Sequence, residues 1–363
     1  MNAYFDQRTG EYLGKPGGSI LRGESITSDL LEKTLQKYIL SVSGWRAIIA
    51  FSADENDPSP DAADEDIVLC ALAAASFLRF LGKHRPRILV GRDARPTGVV
   101  LSESAIRAFS GLGAEVSFAA TASAPEVMAY SNNGFDGFFY ISASHNPIGH
   151  NGYKFGRNGG VLGSDDAKAV EVIFRDLISD QDWISRIIAF LKSTDGEDGI
   201  LRASATVKRD SLSFYEDFVI KTAEAVPESV PGIGIVAEFN GSARSASIDV
   251  GFMRKHGIKV HAVNNVPGQV VHGIVPEGDN LELCRRTLEK MHEADPDFIL
   301  GYVPDNDGDR GNLVYYSERN RRARILAAQQ VFALIAMIEV AHQVIRGESR
   351  IAVAANGCTS YLA

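Results

Sequence analysis

Short apolar runs alternate with segments of helical periodicity through most of this 363-residue chain, and this alternation limits the possible folds more than any other feature. Residues 88–91 and 137–141 have the composition of buried strands, because each run is apolar and bounded by turn-forming residues. Residues 66–81 and 99–110 carry apolar side chains at the spacing of a helix face. Alternating strands and helices bury their apolar faces as layers, so the pattern predicts an α/β fold with helices packed on the faces of a sheet.

The alternation resumes after a polar segment, residues 193–211, which we predict to be weakly ordered. Strands are predicted at residues 233–239 and 298–303, and a helix at residues 243–256. We interpret residues 1–40, which precede the alternating region, as an extension that wraps on the rest of the protein. A short helix is predicted at the end of this extension, from residue 29 to residue 40.

The longest apolar stretch covers residues 325–345 and is interrupted by Gln329, Gln330, Glu339 and His342. Because these polar residues break the run, we predict a heavily buried helix here and not a membrane span. A strand is predicted to follow it, at residues 350–355.

The composition excludes several classes of protein. Lys and Arg total 37 against 46 Asp and Glu, and the resulting net charge of −9 gives no global field that would hold nucleic acid or an anionic membrane. Cys70, Cys284 and Cys358 are scattered, which argues against a disulfide framework and a cysteine-based zinc site. Residues 1–18 contain no apolar export signal, so we expect a soluble, reduced, cytoplasmic protein.

Three aspartates at alternate positions, Asp305, Asp307 and Asp309, directly follow an apolar strand. Clustered carboxylates repel one another, so their placement on one loop favours a bound hard cation such as Mg²⁺. A solvated acidic turn is the alternative. The calcium loop of an EF-hand does not fit, because Arg310 and Tyr316 stand where that loop needs Gly and Glu.

A second polar loop, Ser142 to Pro147, leaves the end of the strand at residues 137–141. Sites in α/β sheets lie at such strand ends, although Ser, His and Asn are also ordinary turn residues. No nucleophile elbow surrounds Ser144, so the acyl-transfer hydrolase template does not apply. Residues 91–98 also leave a strand, and alone they indicate the start of a helix with a structural pair of Arg and Asp.

Taken together, these stretches resemble the α-D-phosphohexomutase superfamily, which includes phosphoglucomutases, phosphomannomutases and phosphoglucosamine mutases. The resemblance begins with the Ser-Gly-Trp-Arg segment at residues 43–46 and continues with the Gly-Arg-Asp-x-Arg-x-x-Gly element at 91–98. Residues 142–147 resemble the phosphoserine loop, with Asn-Gly-Tyr-Lys at 151–154 following it, and residues 305–310 resemble the magnesium loop.

The resemblance implies a mechanism in which Ser144, carried as a phosphoserine, exchanges its phosphoryl group with a hexose phosphate. Asp305, Asp307 and Asp309, together with phosphorylated Ser144, would hold Mg²⁺. Glucose 1,6-bisphosphate, or the cognate hexose bisphosphate, would act as activator. The expected partner is a small hexose phosphate, with no nucleic acid and no membrane.

The resemblance also implies roles for four further side chains. Lys154 and Arg46 would supply acid–base and charge-stabilising functions near the reacting hydroxyl, and both would bind substrate. His145 and Arg310 would help to place the phosphoryl group, with Arg310 binding substrate.

For the fold, the resemblance implies successive three-layer α/β/α domains with mixed sheets. The implied division is an extension at 1–40, a phosphoserine domain at 41–205, a magnesium-loop domain at 206–320 and the start of an incomplete third domain at 321–363. The family's sugar-reading loop and fourth domain have no counterpart before Ala363, so we expect either a fragment or a relative that lacks half of the substrate cleft.

We therefore predict a phosphohexomutase that acts on glucose or mannose phosphates. Tyr153 stands where Phe or Ile is usual, and an aromatic residue there leans away from the glucosamine branch. The alternatives are a phosphoglucosamine mutase, a non-catalytic relative that binds a sugar phosphate, and a metal-dependent phosphatase.

Overall fold

The computed structural model describes residues 3–23, 25–192, 197–223, 229–230 and 232–353. Its helices are α1 (Ser28–Leu35), α2 (Asp64–Leu81), α3 (Gly98–Gly111), α4 (Ala124–Ser131), α5 (Ser164–Ser179), α6 (Gln181–Lys192), α7 (Glu197–Thr222), α8 (Asp249–Lys255), α9 (Glu282–Ala294) and α10 (Ala328–Ile345). Its strands are β1 (Tyr4–Phe5), β2 (Tyr12–Gly14), β3 (Ile39–Ser41), β4 (Gly44–Ile48), β5 (Arg87–Arg92), β6 (Glu115–Thr121), β7 (Gly137–Ile141), β8 (His150–Arg157), β9 (Gly160–Val161), β10 (Gly234–Glu238), β11 (Lys259–Val263), β12 (Phe298–Pro304), β13 (Gly311–Ser317) and β14 (Arg322–Ile325).

The first large sheet has the order β3-β4-β8-β7-β5-β6, with β9 beside β8. It is mixed, because β5 runs parallel to β6 and β7 whereas β8 runs antiparallel to β7 and β4. Ile88 and Val90 point into a core shared with α2, α3, α5 and α6, whereas Leu89 points into a core shared with α4 and, at its margin, α7. The sheet therefore lies between two helix layers, which confirms the three-layer α/β/α prediction.

The second sheet has the order β11-β10-β12-β13-β14 and is also mixed. Helix α9 covers it through Cys284 and Leu288, which are buried against Val236 and Val314. Strand β12 ends at Pro304, so the acidic loop begins at the carboxyl edge of this sheet.

The N-terminal segment lies against the first sheet, and residues 39–41 join that sheet as strand β3. Glu11 accepts hydrogen bonds from buried Arg92 and from Thr121, while Arg8 donates to the carbonyl of Ala246 beside the second sheet. The predicted helix at 29–40 is too long, because α1 ends at Leu35 and residues 39–41 pair with β4 as strand β3.

The prediction of weak order at residues 193–211 is wrong for the part that the structure describes. Helix α7 packs along β6 and α4, and its polar residues are satisfied inside that contact. Lys208 donates to both carboxylate oxygens of Glu126, at 2.8 and 2.9 Å, and Ser211 donates to one of them. Hydrogen-bonded ion pairs let polar residues be buried, and periodicity alone does not reveal this. Residues 193–196 lie outside the described part.

The prediction of a heavily buried helix at residues 325–345 is also wrong. Within α10 only Val331 is buried, and Ile338 and Ile345 are 59% and 85% exposed. No described residue covers the outer faces of α10. The helix is long and apolar enough to cross a membrane, but the core helices of soluble proteins can have the same length and composition. Residues 350–353 form no strand, and residues 354–355 and Cys358 lie outside the described residues. The domain boundaries stay predictions.

Candidate active site

The loop after β7 presents Ser144 in an unusual backbone conformation. Ser144 has φ of +54°, in the left-handed region that non-glycine residues seldom adopt, and it is almost fully buried. Its amide donates to the hydroxyl of Ser142 at 2.8 Å. Residues in this region cost roughly 1–3 kcal/mol and persist where the surroundings fix them, commonly at functional sites.

The buried side chain of Arg95 holds the Ser144 loop in place. It is fully buried and paired with Asp93 at 3.1 Å, as the sequence suggested. In addition, its guanidinium donates to four loop carbonyls, those of Ser144 (2.7 Å), Asn146 (2.6 Å), His150 (3.0 Å) and Pro147. Sequence reasoning missed this function, because the carbonyls lie 49 to 55 residues away along the chain.

Replacing Arg95 with Lys should loosen the Ser144 loop while the charge that pairs with Asp93 remains. A lysine ammonium cannot reproduce the planar fork of donors, so most of the carbonyl bonds are lost. We expect amide hydrogen exchange to accelerate in residues 142–150 and to stay unchanged in the acidic loop. An exchange pattern identical to that of the wild type would show that Arg95 does not hold the loop.

The acidic loop after β12 brings its three carboxylates together. Oxygen atoms of Asp305, Asp307 and Asp309 lie within 4.8 Å of one another. Backbone contacts hold the loop in place: Ala124 N–H donates to the carbonyl of Asp307 at 2.8 Å, and Ala243 N–H donates to that of Asn306 at 2.9 Å. The first of these contacts ties the start of α4, on the first sheet, to the acidic loop on the second.

The protonation of this loop is uneven. Burial, and then the charges of Asp307 and Asp309, hold the pKa of Asp305 well above its usual range. Burial also opposes ionisation of Asp307, but the Lys154 ammonium at 2.6 Å outweighs it and lowers the pKa of that carboxyl. The second oxygen of Asp307, Oδ1, is buried and has no hydrogen-bond partner among the residues that the structure describes. A buried anionic oxygen without a partner, among clustered hard oxygen ligands, fits a divalent cation such as Mg²⁺.

Lys154 joins the two sheets at the site. It lies on β8 opposite Tyr140, and its Nζ donates to Asp307 at 2.6 Å and to Asp309 at 3.4 Å. Burial opposes its charge, but the two aspartates raise the pKa of Lys154 above its ordinary value. Lys154 is therefore charged in this state.

The two loops face each other directly. Ser144 Oγ lies 3.3 Å from Asp305 Oδ2, and Ser142 Oγ donates to Asp307 Oδ2 at 3.0 Å. Sequence reasoning did not single out Ser142 as a site residue. The available signal was its position two residues before Ser144, on a loop that follows a strand end.

His145, Arg310 and Arg46 surround the mouth of the site. Nδ1 of His145 contacts Nη1 of Arg310. Burial, and then the charges of Arg310 and Arg46, lower the pKa of His145, so its imidazole is neutral at pH 7. Arg46 donates to the hydroxyl of Ser43 at 2.9 Å. The structure thus brings together all the side chains that the sequence singled out for the site.

Tyr153, by contrast, points away from the site. Its ring is fully buried and stacks on Tyr38 and Phe139 in the core between the sheet and the helices. It cannot contact a sugar bound at Lys154, so the inference from Tyr153 to a particular sugar has no structural basis.

Comparison with known proteins agrees with this fold. Residues 43–180 match the family described as phosphoglucomutase/phosphomannomutase, alpha/beta/alpha domain I. Phosphoglucosamine mutase from Clostridium beijerinckii is 27% identical over 252 residues, covering 66% of this chain and 51% of that protein. Phosphoglucosamine mutase from Clostridium botulinum strain Kyoto is 28% identical over 259 residues, with the same coverage.

In fold, the chain resembles a phosphoglucomutase/phosphomannomutase family protein from Burkholderia thailandensis, with a TM-score of 0.51 and 16% identity over 79% of this chain and 56% of that one. The fold is thus the one seen in that phosphoglucomutase/phosphomannomutase family protein. Residues 43–180 match domain I of the phosphoglucomutase/phosphomannomutase family, and the chain spans about half the length of the curated relatives it matches.

Proposed function

We propose that the protein is a phosphohexomutase that moves a phosphoryl group between the 1 and 6 positions of a hexose through a phosphoserine at Ser144. The observation that carries this proposal is the 3.3 Å approach of Ser144 Oγ to a cluster of three carboxylates that could hold a divalent cation. Phosphoryl transfer depends mainly on positioning and charge neutralisation. This site is strongly charged, and buried Arg95 holds its serine loop through carbonyl hydrogen bonds.

Phosphorylated Ser144 would bring about −1.5 to −2 charges beside Asp305, Asp307 and Asp309. Four anionic groups this close together repel one another strongly, so a cation is needed among them. We propose that the three aspartates and the seryl phosphate hold Mg²⁺. When bound, Mg²⁺ supplies electrostatic stabilisation to the phosphoryl oxygens.

The remaining side chains receive separate roles in this proposal. Lys154 holds a proton at Nζ next to the reacting oxygen and stabilises developing negative charge. Arg46 lies at the mouth of the site, where its guanidinium can bind a substrate phosphate and assist with charge. Arg310 binds the phosphorylated substrate, and neutral His145 positions that guanidinium through its Nδ1 contact.

The sugar is the open part of the proposal. We retain glucose and mannose phosphates as the expected substrates, with glucose 1,6-bisphosphate or its analogue as activator. The names of the two Clostridium relatives favour glucosamine phosphate as the alternative. Competition among the three 6-phosphates for one phosphorylated enzyme measures the preference directly.

A single-turnover reaction tests the proposal. Unphosphorylated protein with Mg²⁺ and one equivalent of glucose 1,6-bisphosphate is followed by phosphorus NMR. A mutase consumes the bisphosphate and gives one equivalent of glucose monophosphate without inorganic phosphate. Release of inorganic phosphate in step with the monophosphate would instead indicate a phosphatase, and an unreacted bisphosphate that still binds would indicate a non-catalytic relative.

A further inference from the structure

An arginine of the second sheet's first connection contacts the backbone of the acidic loop. Arg244 belongs to a short 3₁₀ helix, Ala243–Ala246, that comes after β10. Its Nε donates to the carbonyl of Gly308 at 3.0 Å. Gly308 lies between Asp307 and Asp309 in the chain, so this hydrogen bond holds the piece of backbone that carries two of the three carboxyl groups.

The acidic loop fits closely around the Arg244 side chain. Gly308 has φ of +71°, in the left-handed region that favours glycine. A Cβ atom at this position would lie 2.6 Å from Cγ of Arg244 and 2.8 Å from its Nε. The glycine therefore permits the turn and also leaves the space that Arg244 occupies.

The far end of the Arg244 side chain is bound to two helices. Its Nη1 donates to the hydroxyl of Tyr215 at 3.1 Å and to Oδ2 of Asp249 at 3.4 Å. Tyr215 is a buried residue of α7, which packs along β6 of the first sheet, and Asp249 is the first residue of α8. Arg244 thus connects the acidic loop to a helix of each sheet.

Holding this loop has a consequence for a cation that binds there. Neighbouring carboxylates repel one another, so a mobile loop would let them move apart before the cation arrives. A loop that is already held avoids the free-energy cost of bringing its ligands together during binding.

We propose that Arg244 is a positioning residue for the cation site, because it holds the segment from Asp307 to Asp309 in the conformation that binds a divalent cation. The proposal rests on the proposed function only in treating the acidic loop as a metal site. It is independent of the sugar and of phosphorylation at Ser144. Replacing residues that orient metal ligands without touching the metal typically weakens metal binding roughly 10–100-fold.

Arg244→Lys removes the donor to Gly308 and keeps the positive charge. Along the lysine side chain Cε takes the place of Nε, and a methylene group cannot donate this hydrogen bond. The ammonium group follows it and stays close to Asp249. Because arginine and lysine carry the same charge, a change in Mg²⁺ affinity cannot come from a change in net charge.

The matched control is Arg254→Lys. Arg254 lies on α8, and its Nη2 donates to the carbonyl of Val260 at 3.2 Å. It therefore also binds a backbone carbonyl of the second sheet, but that carbonyl belongs to β11 and not to the acidic loop.

Amide hydrogen exchange of the metal-free full chain and calorimetric Mg²⁺ titration measure the two effects. In Arg244→Lys we expect exchange at residues 305–310 to be about ten-fold faster, with exchange at residues 142–150 unchanged, and Mg²⁺ binding to be about ten-fold weaker. Arg254→Lys should match the wild type in both measurements.

Tyr215→Phe provides a second test that leaves Arg244 in place. It removes the hydroxyl that binds Nη1 and keeps the aromatic ring in the core. We expect both measurements to change in the same direction as in Arg244→Lys, but only by about three-fold, because the hydrogen bond to Gly308 remains. Wild-type behaviour of Tyr215→Phe would overturn the connection to α7.

The outcomes separate this inference from the proposed function. Equal exchange and equal Mg²⁺ affinity in Arg244→Lys and Arg254→Lys would overturn the inference and leave Arg244 as a residue of the protein interior. Either effect without the other would overturn it as well, because the proposal links the held backbone to cation affinity. A wild type that binds no Mg²⁺ would instead overturn the metal site of the proposed function itself.

Discussion

Replacing Asp307 with Asn should destabilise the metal-free protein and remove strong Mg²⁺ binding, whereas replacing Asp305 with Asn should remove only the metal. The two side chains lie on the same loop and are both fully buried, so they form a matched pair. They differ in their partners. Asp307 is the ionised partner of Lys154 at 2.6 Å, while burial and its neighbours hold the pKa of Asp305 well above its ordinary value.

Asn at position 307 keeps a hydrogen-bond acceptor but leaves the buried Lys154 charge poorly compensated. Removing one partner of a buried ion pair costs roughly 3–5 kcal/mol, and a retained hydrogen bond recovers part of it, so we expect a loss of about 2 kcal/mol. Asn at position 305 removes a carboxylate whose ionisation the fold already opposes, so the metal-free stability should hold or rise.

Thermal unfolding in a chelator and calorimetric Mg²⁺ titration measure the two effects. Asp307→Asn should lower the melting temperature by about 5 °C, and both variants should bind Mg²⁺ at least ten-fold more weakly than wild type. Equal melting temperatures for the two variants would show that the Lys154–Asp307 pair contributes nothing to stability. Unchanged Mg²⁺ affinity in both variants would support the alternative interpretation of this loop, a solvated acidic turn.

The parts of the site that sequence predicted are those whose residues lie close together along the chain. The acidic loop and the Ser144 loop each follow an apolar strand, and strand ends in α/β sheets are where polar loops gather. The spacing of three aspartates is itself a local feature. For the same reason the alternating pattern predicted the layered fold, since each strand and each helix shows its own period.

The remaining parts depend on contacts between residues far apart in the chain. Lys154 and Asp307 are 153 residues apart in the chain. Arg95 donates to backbone carbonyls, which every residue type carries, so the residue types in the loop do not reveal the contact. The error over α10 has a related cause, because an apolar segment shows that a helix needs a covering but not which part of the protein supplies it. Tyr153 is a different case: its place in a motif suggested a preference among sugars, but strand alternation directs its side chain into the core.

Phosphorylation at Ser144 is the second large effect that we expect. Ser144 Oγ lies 3.3 Å from Asp305, and its loop is held by buried Arg95. A hexose bisphosphate should therefore transfer one phosphoryl group to this serine in the presence of Mg²⁺. Ser144→Ala removes the hydroxyl oxygen that accepts the phosphoryl group in the proposed transfer and alters the volume of the loop little, so we expect complete loss of the adduct in a folded protein.

Other nucleophiles near the site provide the control for this variant. Ser142 lies two residues away on the same loop and donates to Asp307 at 3.0 Å, so it is the nearest competing acceptor in the described site. Ser142→Ala should keep the adduct, at a reduced rate because the contact with Asp307 is lost. An adduct that disappears from Ser142→Ala and persists in Ser144→Ala would reverse the assignment of the two serines.

Intact-mass analysis of this chain after incubation with glucose 1,6-bisphosphate tests the central claim most directly, with wild type, Ser144→Ala and Ser142→Ala treated in parallel, each with Mg²⁺ and with a chelator. The account predicts the mass of one added phosphoryl group on wild type and Ser142→Ala with Mg²⁺, and none on Ser144→Ala or in the chelator. The same adduct on Ser144→Ala, or an adduct on wild type that forms equally well in the chelator, would contradict it.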